Sequence, residues 1–191
     1  MNCVENEFNS QIEVKKSKFL SFLVPIDRFK ELLKELKEKH PKANHIVWAY
    51  RELNDFEQIV ENSSDDKEPK GAAGAPTLNV MRGAKLINCA ILTVRYFGGI
   101  KLGVGGMARA YSKSANEVIK KAVLIPYVRV DNFTLSIPYS KQRKCEYYLK
   151  ELKIDSIQRK FLNDKILYRV KTTKEIIDKL NSLFQNEKSH L

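Results

Sequence analysis

Two stretches of the chain hold the residue types that could do chemistry. The first is residues 64–76, SSDDKEPKGAAGAP from its preceding serine onward, where Asp65, Asp66 and Glu68 place three carboxylates within four residues. Carboxylates so close could hold Mg²⁺, act as acid and base, or anchor loops by pairing with cations. The second is residues 95–111, RYFGGIKLGVGGMARAY, where Gly98, Gly99, Gly103, Gly105 and Gly106 alternate with Arg95, Lys101 and Arg109. All 8 glycines of the protein lie between Gly71 and Gly106. A helix beginning near Val104 or Gly105 would aim unpaired N–H groups and a partial positive charge at this loop. With full charges close by, the arrangement favours anions, phosphates above all. The spacing is neither G-x-x-x-x-G-K-[ST] nor G-x-G-x-x-G. The plainer alternative is that the glycines serve tight packing of helix on sheet.

Around these stretches, His45 lies three residues before Trp48 in a strand pattern, where a hydrogen-bonded structural histidine is the ordinary outcome. Cys89 falls in an apolar strand, where a thiol is normally inert. Arg109, Lys113 and Lys120 share one face of their helix, opposite Met107, Tyr111 and Val118. Tyr96, Phe97 and Tyr111 interleave aromatics with these charges, which is compatible with RNA contact through phosphate pairing and base stacking. Tyr111 itself reads as core. The candidate phosphate or nucleic-acid contacts are therefore Arg95, Gly98, Gly99, Lys101, Gly103, Gly105, Gly106, Arg109 and Lys113. Asp65, Asp66, Glu68 and His45 are expected to position the loops, with Arg95, Lys101 or Arg109 as partners of the acids. No catalytic residue, metal or cofactor is expected.

The elements that must position these residues follow from periodicity. Residues 17–25 (SKFLSFLVP) read as a strand covered on both faces. Asp27 is expected to cap a helix with Phe29, Leu32, Leu33 and Leu36 on one face, ended by His40-Pro41. Residues 44–53 are a second strand, Asn54-Asp55 a turn, and 56–60 a third strand, followed by a polar loop over 61–75. A helix is expected over 77–85, an apolar strand over 87–94, and, after the glycines, a helix to about Ala122. Residues 124–127 (LIPY) look like a hinge. Beyond it come a strand at 128–137, a helix capped by Ser140, and a hairpin of 154–161 with 165–171 around Asn163-Asp164. Thr172 and Glu175 have capping-box spacing before a last helix. The order βαββα suggests a small ferredoxin-like domain whose usual last strand is hard to find in the remaining residues 185–191. The class is α+β in two domains, 1–124 and 127–191.

A hydrophobic fraction of 43% suffices for packed cores. No stretch approaches the ~20 apolar residues of a membrane-spanning helix, and the first residues lack a signal-peptide layout. The 3 cysteines carry no framework or zinc spacing, and a cytoplasmic location is expected. The net charge of +11 is unevenly spread. Residues 1–68 carry 11 Lys and Arg against 14 Asp and Glu, whereas residues 69–126 carry 9 against the single acid Glu117. Residues 127–191 carry 14 against 8. A one-sided field that begins where the glycines begin favours a polyanionic partner, although a merely solvated lysine surface has the same composition.

At its two informative stretches the sequence resembles the IMPACT family, with its bacterial YigZ-like members. The family signatures look like S-D-D-G-E-P-S-G-T-A-G-x-P and V-R-Y-F-G-G-x-K-L-G-x-G-G-L-x-R-A-Y, and stand here at 64–76 and 94–111. The family features at Lys16-Ser17-Lys18-Phe19 and at 43–49 (ANHIVWA) are present and in order. The chain departs from the pattern at Lys67, Lys70, Ala72 and Met107; the changes at 70 and 72 remove two hydroxyls, which argues against a catalytic role for that loop. The resemblance implies a first domain similar to domain IV of elongation factor G and a second similar to its domain V. Eukaryotic relatives are translation regulators that compete for the activator of an amino-acid-starvation kinase, and only the broad role carries over. What the resemblance implies is a non-catalytic, translation-associated regulator that binds RNA or the ribosome. The competing readings are an enzyme or sensor for a small phosphorylated ligand, using the same loop with Mg²⁺, and a protein–protein interaction module.

Overall fold

The computed structural model of the protein describes residues 1–184, which form two compact units, Met1–Tyr127 and Val128 onward. In the first unit, β2 (Phe8–Val14), β3 (Ser17–Pro25), β4 (His45–Leu53), β5 (Ile59–Ser64) and β6 (Cys89–Tyr96) make one sheet in the order β2-β3-β6-β4-β5, with every neighbouring pair antiparallel. Helix α1 (Phe29–Lys39) covers one face, and α2 (Gly74–Gly83) and α3 (Val104–Lys121) cover the other. Because β6 is central and sandwiched, seven of its eight residues are buried, which explains why apolar residues dominate it and why Thr93 and Arg95 are buried with them. In β3 the same double coverage appears as an alternation: Phe19 and Leu23 face α2 and α3, while Val24 joins the cluster under α1.

Between sheet and α3 the apolar core is interrupted by a buried chain of hydroxyls. Ser21 Oγ lies 2.7 Å from both Thr93 Oγ1 and Ser114 Oγ, so β3, β6 and α3 satisfy one another's polar groups. Fully buried neighbours, Ala115 and Val118 among them, surround that chain. The short strands β1 (Asn2–Cys3) and β7 (Ile125–Pro126) pair antiparallel, and Tyr127 N donates to Met1 O at 2.9 Å. The segment that reads as a hinge is thus stitched to the N-terminus up to Tyr127.

The second unit runs β8 (Asp131–Pro138), α4 (Gln142–Glu151), β9 (Ile157–Phe161), β10 (Lys165–Thr172) and α5 (Lys174–Phe184), the order βαββα. Its antiparallel sheet has the order β8-β10-β9. Leu135, Ile137, Cys145, Leu149, Ile166, Tyr168 and Leu180 form its own core. The whole chain is therefore mixed α+β. The question of a further strand over residues 185–191 lies outside the described residues.

Several local expectations are corrected. Strand β2 was not foreseen: its sequence, FNSQIEV, turns Phe8, Ser10, Ile12 and Val14 inward and Asn9, Gln11 and Glu13 outward. The third strand of the sequence reading lies instead at Ile59–Ser64, and Phe56 sits in the preceding turn, 83% exposed. Neither Asp27 nor Ser140 caps a helix; each lies in a single 3-10 turn that leads into α1 or α4. The cap of α5 is shifted by one residue, because Thr172 still pairs with Asp131 in the sheet. Thr173 Oγ1 accepts from Ile176 N at 3.5 Å. Helix α2 begins at Gly74, ahead of Pro76, for a reason that belongs to the site.

Candidate functional site

The acidic loop between β5 and α2 is built inward. Asp65 accepts three backbone N–H groups, from Gly71 at 2.8 Å, Ala73 at 3.0 Å and Gly74 at 2.8 Å. It therefore acts as the cap of α2 from nine residues upstream, which is how that helix starts at Gly74 without a neighbouring capping residue. Burial opposes the charged form of Asp65, but the three N–H donors prevail and hold its carboxyl below the ordinary value. Gly74 sits close there, since a Cβ would stand 3.0 Å from the Ser64 carbonyl.

Asp66 and Glu68 tie this loop to β4, β6 and α3. Asp66 Oδ2 accepts from Ile46 N at 2.6 Å, and Asp66 O lies 2.7 Å from His45 Nδ1. A carbonyl can only accept, so Nδ1 carries the proton of that bond. Glu68 is 7% exposed. Its Oε1 accepts from Arg95 Nη1 at 2.5 Å and from the Tyr111 hydroxyl at 2.9 Å, while Oε2 stands 3.7 Å from His45 Nε2. Burial, together with the adjacent Glu68 carboxylate, pushes the Tyr111 phenol far up, so it remains a donor. The expectation that the acids pair with cations and join the two loops is realised through Glu68 and Arg95.

Arg95 is consequently not an exposed cation beside Lys101. It is 5% exposed, packed between Phe19 and Phe97 with its guanidinium carbon 5.6 and 5.8 Å from the ring centroids. Its Nε makes no hydrogen bond among the described residues. Lys101, Arg109 and Lys113 are exposed. They do not share one depression. Lys101 lines a cleft of about 410 Å³ with Asn44, His45, Arg95, Phe97 and Val104, whereas Arg109 and Lys113 line one of about 240 Å³ with Val14 and Lys15. Leu102 belongs to both and forms the ridge between them.

The glycines divide in role. Gly98 is pressed against another backbone, for a Cβ there would lie 2.0 Å from the Lys16 carbonyl carbon. Ser17 Oγ accepts from Gly98 N at 3.1 Å, and Asn44 Oδ1 accepts from Phe97 N at 2.8 Å, so the loop is clamped from both sides. Gly99 and Gly103 adopt positive φ, the latter as the residue that opens α3. Gly103 and Gly105 are exposed, and Gly106 packs on Leu102. The first turn of α3 has no side-chain cap; Gly103 and Val104 line the larger cleft, and Gly106 lines the smaller.

Sequence reasoning missed Asn44 as a clamp, Lys15 as a neighbour of Arg109, and Lys16 as the backbone that Gly98 meets. The signal for the lysines was a turn: both have positive φ, 46° and 63°, in a two-residue connection where Asn-Gly is favoured. It also missed Arg51, buried in β4, which donates to Glu61 at 2.6 Å and to Leu86 O at 2.7 Å.

The Impact N-terminal domain profile matches residues 15–119, which span β3 to α3 and every residue of this site except Val14. The chain belongs to the IMPACT family. An IMPACT family member of Haemophilus influenzae is 32% identical over 149 residues, covering 73% of this chain and 71% of that protein. The IMPACT family member YvyE of Bacillus subtilis is 33% identical over 152 residues, covering 74% and 69%. A crystal structure of a hypothetical protein superposes with a TM-score of 0.70 over 98% of this chain and 92% of its own, at 24% identity, and so shares the fold. The glycine loop and the acidic loop of this IMPACT chain both lie within the matched residues. Among the described residues, no helix is long and apolar enough to cross a membrane.

Proposed function

We propose that this IMPACT chain is a non-catalytic, translation-associated regulator of the cytoplasm that binds RNA, free or in the ribosome, through the glycine loop and α3. The observation that carries this reading is a collar of exposed cations, Lys15, Lys16, Lys101, Arg109 and Lys113, around an uncapped helix start. The only acid of residues 69–126, Glu117, sits two turns further along and pairs with Lys120 at 2.8 Å. The exposed charge of the glycine loop and the first turns of α3 is therefore positive. The nearby carboxylates Asp65, Asp66 and Glu68 are each engaged in bonds that hold the fold, which suits positioning rather than catalysis. Likeness of the two units to domains IV and V of elongation factor G, implied by the family resemblance, would place such a collar where ribosomal RNA is the natural polyanion.

The test is RNA binding by fluorescence anisotropy over a salt series. Replacing Lys101 and Arg109 by Ala should weaken binding for all sequences alike and flatten the salt slope by roughly 0.7 per lost contact on single strands. Neither residue has an ion pair among the described residues, so circular dichroism should show both variants folded. Lys150→Ala, on α4, controls for charge lost elsewhere. Folded Lys101/Arg109 variants that bind with parental affinity and slope would remove the collar as the RNA site.

A further inference from the structure

The larger cleft has features that a phosphate-binding collar does not need. Its walls are mainly apolar, from Pro69, Phe97, Leu102, Val104 and Met107. Phe97, Ile100 and Val104 are 45%, 44% and 59% exposed, three large apolar side chains within eight residues of an otherwise basic surface. Clustered exposure of this kind marks a contact surface. Arg95, 95% out of solvent by the same measure, lines the cleft with a buried Nε that has no partner. An unpaired buried donor is costly unless something completes it. The Phe97 ring is backed by that guanidinium at 5.8 Å and still half open. The cleft is also lined by Lys101 and by Gly103 and Val104, where α3, a helix of 18 residues, begins without a side-chain cap.

We propose that this cleft is a subsite for one unpaired nucleotide of an RNA strand. The base lies against Phe97, and its phosphate lies on the first turn of α3 and Lys101. The ligand must be flat and apolar at one end and anionic at the other, and about 410 Å³ accommodates a single nucleotide but not a duplex. Base stacking on an aromatic face is open to any unpaired base, and helix N-termini hold phosphate through their N–H groups. Asn44, whose Oδ1 is taken by Phe97 N, also lines the cleft, and its amide nitrogen is the donor this residue could offer to a base edge. A peptide ending in a carboxylate would share the anionic end, but Glu68 is buried against Arg95 and the exposed charge that lines the cleft is Lys101, on a stretch rich in cations, which favours the polyanion.

The inference rests on the RNA-binding reading, and the experiment separates the two. The probes are a short single-stranded RNA bearing one 2-aminopurine and the blunt duplex of the same sequence. Phe97→Leu keeps apolar volume but removes the π face; it should weaken single-strand binding roughly tenfold, leave duplex binding alone, and abolish 2-aminopurine quenching. The salt slope should not change, because no phosphate contact is lost. Phe97→Tyr should restore binding. Val104→Asp puts a carboxylate in the first turn of α3, which favours the helix but repels phosphate, so thermal stability should hold while single-strand binding is lost. Should Phe97→Leu and Val104→Asp both be folded and bind single strands like the parent, with the Lys101/Arg109 effect intact, the cleft is not a nucleotide site although the collar is. Displacement of the probe by an apolar peptide with a free carboxylate, and not by a mononucleotide, also overturns it. A parent protein that binds neither RNA removes the collar reading and the subsite together.

Discussion

Glu68→Gln tests whether the acidic loop and the glycine loop are locked by one buried ion. The change keeps the size of the side chain and one carbonyl acceptor, but removes the charge that faces Arg95 at 2.5 Å and Tyr111 at 2.9 Å. Glu68 and Arg95 are 7% and 5% exposed, so the guanidinium cannot turn to water for compensation. Breaking such a pair from one side costs about 3–5 kcal/mol, most of it the uncompensated charge left behind. For a unit of 127 residues this is a fall in melting temperature of roughly 10–20 °C. The assay is thermal unfolding followed by tryptophan fluorescence. Trp48 is the sole tryptophan and packs at 5.2 Å on Phe29, so it reports the first unit alone. Replacing both partners, as Glu68→Met with Arg95→Met, removes the stranded charge and should cost less than Glu68→Gln by itself. Tyr111→Phe deletes one hydrogen bond to the charged carboxylate and should cost about 1.5–3 kcal/mol. A Glu68→Gln protein that melts within a few degrees of the parent, or a double variant whose loss is the sum of the singles, would refute the lock.

The remaining tests address other contacts. The Asp65 carboxyl is held below its ordinary 3.8, so its contribution is fully present above that pH and fades as pH falls through the lower folded value. Asp65→Asn should therefore lower the urea midpoint at neutral pH by an amount equivalent to about 1–3 kcal/mol, and the gap from the parent should narrow in acid; a gap independent of pH would contradict this. Gly98→Ala drives a Cβ to 2.0 Å from the Lys16 carbonyl carbon and should destabilise by about 2–4 kcal/mol. Gly83→Ala, at the end of α2 with nothing within 4 Å, should stabilise by about 0.5–1 kcal/mol, and equal effects of the two would disprove the close-approach argument. Limited proteolysis should cut at residues 128–130, which lie past the β1–β7 pairing and carry no regular structure, rather than within Ile125–Pro126. First cleavage inside that strand would show that the pairing does not protect it.

What the sequence determined by itself is whatever depends on near neighbours. The apolar run before the glycines, the 3.6 spacing of Met107, Ala110, Tyr111, Ser114 and Val118 after them, and the βαββα order of the second unit are local patterns, and each becomes the expected element. The family, too, is legible in residues 64–76 and 94–111, because its signatures are contiguous. Tertiary structure alone decided which charges face solvent. Arg95 and Arg109 look alike in sequence, yet β6 is the central strand and buries the first, while α3 turns the second outward. Strand β2 was hidden because an edge strand half faces water, and its polar alternation acquires meaning only from its register with β3. The start of α2 was misplaced because its cap, Asp65, arrives from across a loop rather than from the preceding residue. The close approach of Gly98 to Lys16 joins residues 82 positions apart, and Lys101 and Arg109 line different clefts that share Leu102. Burial, pairing and close approach are properties of residues far apart in sequence, and only the packed sheet brings them together.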